Sequence, residues 1–207
     1  MRGPGSGVDP GGPPMIHPDL ERPPAAGMLL IAAPALTDPH FRRTVIYLVA
    51  HGADGTVGVV VNRPSETGVD AVLPAWAPHT TRPHIVYAGG PVQTNSAMCL
   101  GVCRPEIDAR SLDDTIAVTG SVVLIDLDAE PARLVGSLLG MRIYAGRAGW
   151  ENGQLTEEIE QEAWYVVPGH PTDLLVPAAD DLWFTALRRQ RWPASLAAYE
   201  PFDLERN

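Results

Sequence analysis

Asn62 and Arg63 stand where an apolar β-run stops, directly before Pro64. An arginine fork at a strand end suits bidentate capture of a carboxylate or a phosphate. The same pair also suits the turn itself, with Asn62 satisfying backbone groups and Arg63 pairing with an acid. Arg43 opens another β-run and is either a second anion contact or a rim salt bridge. His51 is of the residue type that serves as a proton shuttle, yet it lies beside a tight turn that one imidazole hydrogen bond would stabilise. Gly89-Gly90 follows a β-run and precedes Pro91, so it is either a sharp chain reversal or a nest of backbone N–H groups for an anion. Trp150, Gln154 and Glu158 recur every four residues, as a face for a partner or ligand or as a packed tryptophan with hydrogen bonds that fix the preceding loop. These positions predict a surface groove lined by Arg43, Asn62, Arg63 and the double glycine, taking a protein or a small anionic ligand without breaking a bond.

Other chemistries are excluded or disfavoured. All 15 basic residues are arginine, against 25 acids and a net charge of −10. Without lysine there is no Walker A loop, no Schiff-base enzyme and no Ser-x-x-Lys acyl enzyme. Neither Gly-x-Ser-x-Gly nor Gly-x-Gly-x-x-Gly occurs. The six histidines are scattered, and adjacent pairs such as Asp113-Asp114 face apart in regular structure, so neither a metal nor a cofactor is expected. The negative charge argues against nucleic acid as a partner. Arg188, Arg189 and Arg191 follow from their place at a helix C-terminus. The alternatives to a non-catalytic binding module are a DNA-binding regulator and, below it, a small hydrolase using His51 with a carboxylate.

The elements that position these residues are mostly strands. Residues 1–24 hold five glycines and seven prolines and read as a disordered tail; composition changes at Ala25, leaving one domain over 25–207. Strands are predicted over 27–33, 43–49, 56–61, 84–88, 97–103, 122–125, 142–145 and 164–167, with Asp54-Gly55 marking a hairpin. Helices are predicted over 128–139, 152–162 and 179–191, the last with Leu182, Trp183, Ala186 and Leu187 inward. Cys99 and Cys103 lie in a strand, about 13 Å apart and too far to bridge. No stretch approaches 18 apolar residues and no leader is visible, so a cytoplasmic protein without a membrane span is expected. The fold class is α+β with a mixed sheet.

Three segments resemble the AlgH-like, or YqgE-like, family of small bacterial proteins. The first runs from Gly27 through Asp38-Pro39-His40-Phe41-Arg42-Arg43 to His51, Gly58 and Asn62-Arg63-Pro64. The second is Gly89-Gly90-Pro91-Val92. The third joins Ala148-Gly149-Trp150, Gly153-Gln154-Leu155, Glu158 and Trp164. The resemblance implies a strongly bent, partly barrel-like sheet packed by a few helices, and a cytosolic protein. It also carries a common label of transcriptional regulator, with no firm biochemical activity. Two positions depart from the family pattern: Arg147 replaces an aromatic residue, and Cys99-Leu100 replaces a Leu-His pair.

Overall fold

A computed structural model of the chain describes residues 23–176, 181–190 and 194–199. The N-terminal tail expected over 1–24 therefore falls almost wholly outside the described residues, as do Ala179, Asp180, Arg191 and Pro193. The chain begins with β1 (Met28–Ala32), β2 (Val45–Gly52), β3 (Gly55–Val60), β4 (Pro64–Gly68), helix α1 (Val69–Val72), β5 (Ile85–Ala88) and β6 (Val92–Cys103). It continues with β7 (Thr115–Ala117), β8 (Val122–Ile125), helix α2 (Pro131–Leu134), β9 (Leu138–Trp150), helix α3 (Gln154–Glu160), β10 (Trp164–Pro168) and helix α4 (Leu182–Arg188).

The strands form one curled, partly barrel-like sheet in the order β10-β1-β2-β3-β9-β6-β8-β7. Neighbours along this path are antiparallel, whereas β5 runs parallel to β9, so the sheet is mixed as expected. Both faces are covered, which explains why β1 reads as an unbroken apolar run. Leu29 and Ile31 enter one cluster with Tyr47, Tyr144 and Trp183. Leu30 and Ala32 enter another with Ile46, Leu48, Trp150 and Trp164. A third cluster holds Cys99, Cys103, Met141 and Ile143.

The β2–β3 hairpin closes at the Gly52–Gly55 pair, and Gly55 adopts φ 111°, a conformation that glycine reaches without strain. Leu182, Trp183, Ala186 and Leu187 are the buried face of α4. The helix expected over 128–139 is shorter: α2 ends at Leu134, a 3₁₀ turn follows, and Leu138 already pairs with Cys103 in β9. Gly136 and Ser137 favour leaving the helix there, and the ladder with β6 takes the chain onward. β4 and β7 were not expected. Proline is tolerated as the first residue of a strand, and Pro64 opens β4 opposite Tyr87 instead of ending the ladder. β9 is about three times the expected length, because pairing with β6 takes in Leu138 to Met141, placed partly in a helix by the sequence, and pairing with β3 takes in Ala148 to Trp150.

Candidate functional site

The residues singled out in the sequence build two neighbouring structures. The first is the loop between β1 and β2, residues 33–44. Asn62, 8% exposed, accepts from the Val45 amide at 2.8 Å and donates to the Arg43 carbonyl at 2.9 Å. Arg63 donates to the carbonyls of Pro39 and Arg42, both at 3.2 Å. The loop closes on itself through Asp38, whose carbonyl accepts from the Phe41 and Arg42 amides. Arg43, at φ 55°, lays its guanidinium 4.7 Å from the Trp183 ring centre and 5.1 Å from that of Phe184. Burial, then the nearby charge of Arg42, lowers the pKa of Arg43. Arg63 is lowered in the same order, with Asp38 opposing. These three side chains thus hold the loop in place and hold α4 against it.

The double glycine is a close backbone crossing. The Gly89 amide donates to the Ala145 carbonyl at 2.7 Å, and its carbonyl accepts from the Val60 amide at 2.8 Å. A Cβ at Gly90 (φ 149°) would overlap the backbone of Arg147. The bend thus serves the contact of β3, β5 and β9. Ala88 donates to the Arg63 carbonyl at 2.8 Å, so the bend lies beside the Arg63 backbone, while the Arg63 guanidinium is turned to the β1–β2 loop.

The second structure centres on Glu158. One carboxylate oxygen accepts from the Trp150 indole at 2.9 Å and the Trp164 indole at 2.8 Å. The other accepts from the Gln154 amide at 2.9 Å. Trp150 comes from β9, Trp164 from β10 and the two polar residues from α3, so the carboxylate joins three elements. Phe41 packs on both indoles, with ring centres 6.2 and 5.6 Å away. The loop of the first structure therefore touches the second.

Gln154 also reaches forward into a third feature. Its carbonyl oxygen accepts from the Glu151 backbone amide at 3.1 Å, fixing the turn between β9 and α3. That turn is one wall of a cleft of about 260 Å³. The opposite wall is the tip of the β2–β3 hairpin. His51, Thr56, Glu151, Asn152 and Thr156 supply its polar side chains, and buried Leu155 also lines it. His51 Nδ1 and the Thr56 hydroxyl share a hydrogen bond of 2.7 Å. They are directly opposed across the hairpin, so register alone brings them together. Among the described residues, nothing engages the side chains of Glu151, Asn152 or Thr156.

The structure thus brings His51 together with the Trp150, Gln154 and Glu158 group, the former lining the cleft and the latter bracing it. Thr56, Glu151, Asn152 and Thr156 escaped the sequence reading. Thr56 lay in an expected strand, and Asn152 and Thr156 in the helix expected over 152–162, with Glu151 just before it; Gly153, which adopts φ 84°, was the one available signal of a turn there. A second omission is the pairing of buried Asp173 with the partly exposed Arg189, bidentate at 2.7 and 2.5 Å. Cys99 and Cys103 are free and buried, and burial raises the Cys99 thiol to about 12. Among the described residues, no three His, Cys, Asp or Glu side chains converge on a metal-sized point, and no helix is long and apolar enough to cross a membrane.

Comparison with known proteins places these features in context. A family model described as AlgH-like matches residues 29–195. A UPF0301 protein of Mycolicibacterium smegmatis is 48% identical over 181 residues, covering 87% of this chain and 90% of the relative. One from Rhodococcus erythropolis is 45% identical, covering 93% and 94%. A crystal structure of a Corynebacterium diphtheriae protein superposes with a TM-score of 0.82 at 36% identity, covering 86% of this chain and 93% of that one. The solution structure of the AlgH protein from Pseudomonas aeruginosa gives 0.62 at 32% identity, covering 85% and 94%.

Proposed function

The chain belongs to the AlgH-like family, and from that premise we propose that it is a non-catalytic binding module whose ligand enters the cleft between the β2–β3 hairpin and the β9–α3 turn. One observation carries this reading. The cleft combines unengaged polar side chains with a braced wall, because Glu158 fixes Gln154 and Gln154 fixes Glu151. Recognition of this kind needs preorganised groups around a concavity. A volume of about 260 Å³ is below the usual range for drug-sized ligands, which suits a small polar molecule or one side chain of a protein partner.

The test is a screen of small polar fragments by amide chemical shifts. The reading expects responses to cluster at Gly52, Ala53, Gly55, Asn152 and Gly153. Responses clustered at Arg42, Arg63 and Gly90 would instead support an anion groove on the β1–β2 loop.

A second reading rests on the 2.7 Å contact of His51 with Thr56, which has the distance of a base and its nucleophile. Thr56 is 4% exposed, so its hydroxyl faces structure more than solvent. Ester hydrolysis by the wild type, abolished in both His51→Ala and Thr56→Val, would establish that reading.

A further inference from the structure

We propose that the ligand group this cleft takes is a cation, the guanidinium or ammonium of a basic side chain or small amine. The inference rests on the cleft reading above and adds the charge of its guest. Glu151 is the one lining residue with a fixed charge. Its backbone amide is pinned by Gln154, yet its carboxylate has no partner among the described residues. This contrasts with Glu158 seven residues further on, whose carboxylate already accepts three hydrogen bonds.

The surroundings point the same way. Asp54 sits at the hairpin tip between the lining residues Ala53 and Gly55, and Glu157 directly follows Thr156. No arginine lines the cleft, although the chain has fifteen. Arg147 lies three residues back from Trp150, about 10 Å of strand away. Asn152 and Thr156 add groups that both donate and accept, so the acceptor-only carboxylate of Glu151 is what sets the preference for a cation. The net charge of −10 concentrates cations near the surface and repels anions.

The experiment is an amide-shift titration of the full chain at low salt with four probes. They are putrescine, a capped arginine tripeptide, inorganic phosphate and a capped glutamate. The inference expects the cationic probes to move the Gly52, Gly55 and Gly153 amides and the anionic probes to leave them in place. A response to putrescine alone identifies a free amine; a stronger response to the tripeptide identifies a protein side chain. Glu151→Gln should weaken the response about three- to fivefold, while Glu160→Gln, outside the cleft, should leave it unchanged. Equal loss in both variants would mean diffuse attraction and would overturn the inference. Movement of the cleft amides by phosphate or glutamate alone would overturn the cation and leave the cleft standing. Movement by none of the probes in the cleft, with responses elsewhere, would overturn both.

Discussion

Replacing Glu158 tests how the cleft is held in place. Its carboxylate accepts from Trp150 and Trp164, which are 5% and 4% exposed, and from Gln154. Glu158→Ala leaves two indole N–H groups without their acceptor in a largely buried aromatic cluster. Each unsatisfied buried donor costs roughly 1–3 kcal/mol, and the cluster is only partly closed around the carboxylate, so the lower half of that range applies. The expected loss is about 3 kcal/mol. With a urea slope of roughly 2 kcal/mol per molar, the unfolding midpoint falls by about 1.5 M. Glu158→Gln separates packing from hydrogen bonding. Its oxygen still serves the indoles, but its amide group then faces the Gln154 amide group. If Gln154 turns over to avoid that clash, it loses the Glu151 N–H. The expected cost is about 1 kcal/mol, together with shifted Glu151 and Asn152 amide signals. Urea unfolding followed by circular dichroism, with amide spectra of both variants, supplies the measurement. A change below about 0.5 kcal/mol in Glu158→Ala, or undisturbed turn signals in Glu158→Gln, would refute the bracing argument.

Other expectations follow from the same geometry. Arg189→Ala leaves the Asp173 carboxylate, which is 4% exposed, with the His170 amide as its remaining donor and should cost about 2 kcal/mol in urea unfolding; the double variant with Asp173→Asn should cost less than the sum of the two singles. Burial raises the Tyr47 pKa to about 12 from an ordinary 10.0, so its neutral form is the one the fold favours. That contribution, about 3 kcal/mol, is complete below pH 10 and disappears as pH rises towards 12, so alkaline unfolding of Tyr47→Phe should begin at higher pH than that of the wild type. Cys99 and Cys103 should resist iodoacetamide at pH 8 in the folded protein and react fully in urea, because both are buried and burial raises both thiols. Gly90→Ala should lower stability by roughly 3 kcal/mol or more by thermal unfolding, since the added methyl group overlaps the Arg147 backbone.

The strands with a local cause were legible in the chain. β1 to β3 carry dense apolar or β-branched runs, and Asp54-Gly55 supplies the turn between two of them. α3 and α4 carry their inward stripes at helical spacing. Long-range pairing hid the rest. Nothing near Pro64 tells that β5 will pair with it, and nothing near Leu138 tells that β6 is waiting. The ends of β9 were hidden because their partners β6 and β3 are distant in sequence, while buried Arg142 between them is satisfied by carbonyls far along the chain, at Leu175 and Val176, and by the Tyr87 ring. The site divides in the same way. His51 was visible as a turn-side histidine, and Trp150, Gln154 and Glu158 as a spacing of four. That they stand on adjoining sides of the β9–α3 turn follows from the pairing of Thr56 with Trp150, which no local pattern announces. Asn62 and Arg63 were picked out as polar residues at a strand end, and tertiary structure uses both to fold the preceding loop.

Filling the cleft is the most direct trial of its role. Thr156 lies on the exposed face of α3 and lines the cavity, so Thr156→Trp should occupy the space while thermal unfolding stays near that of the wild type. Amide titration with the capped arginine tripeptide should then give saturable shifts at Gly52, Gly55 and Gly153 in the wild type and none in the variant. Equal saturation in both proteins would contradict the assignment of binding to this cleft.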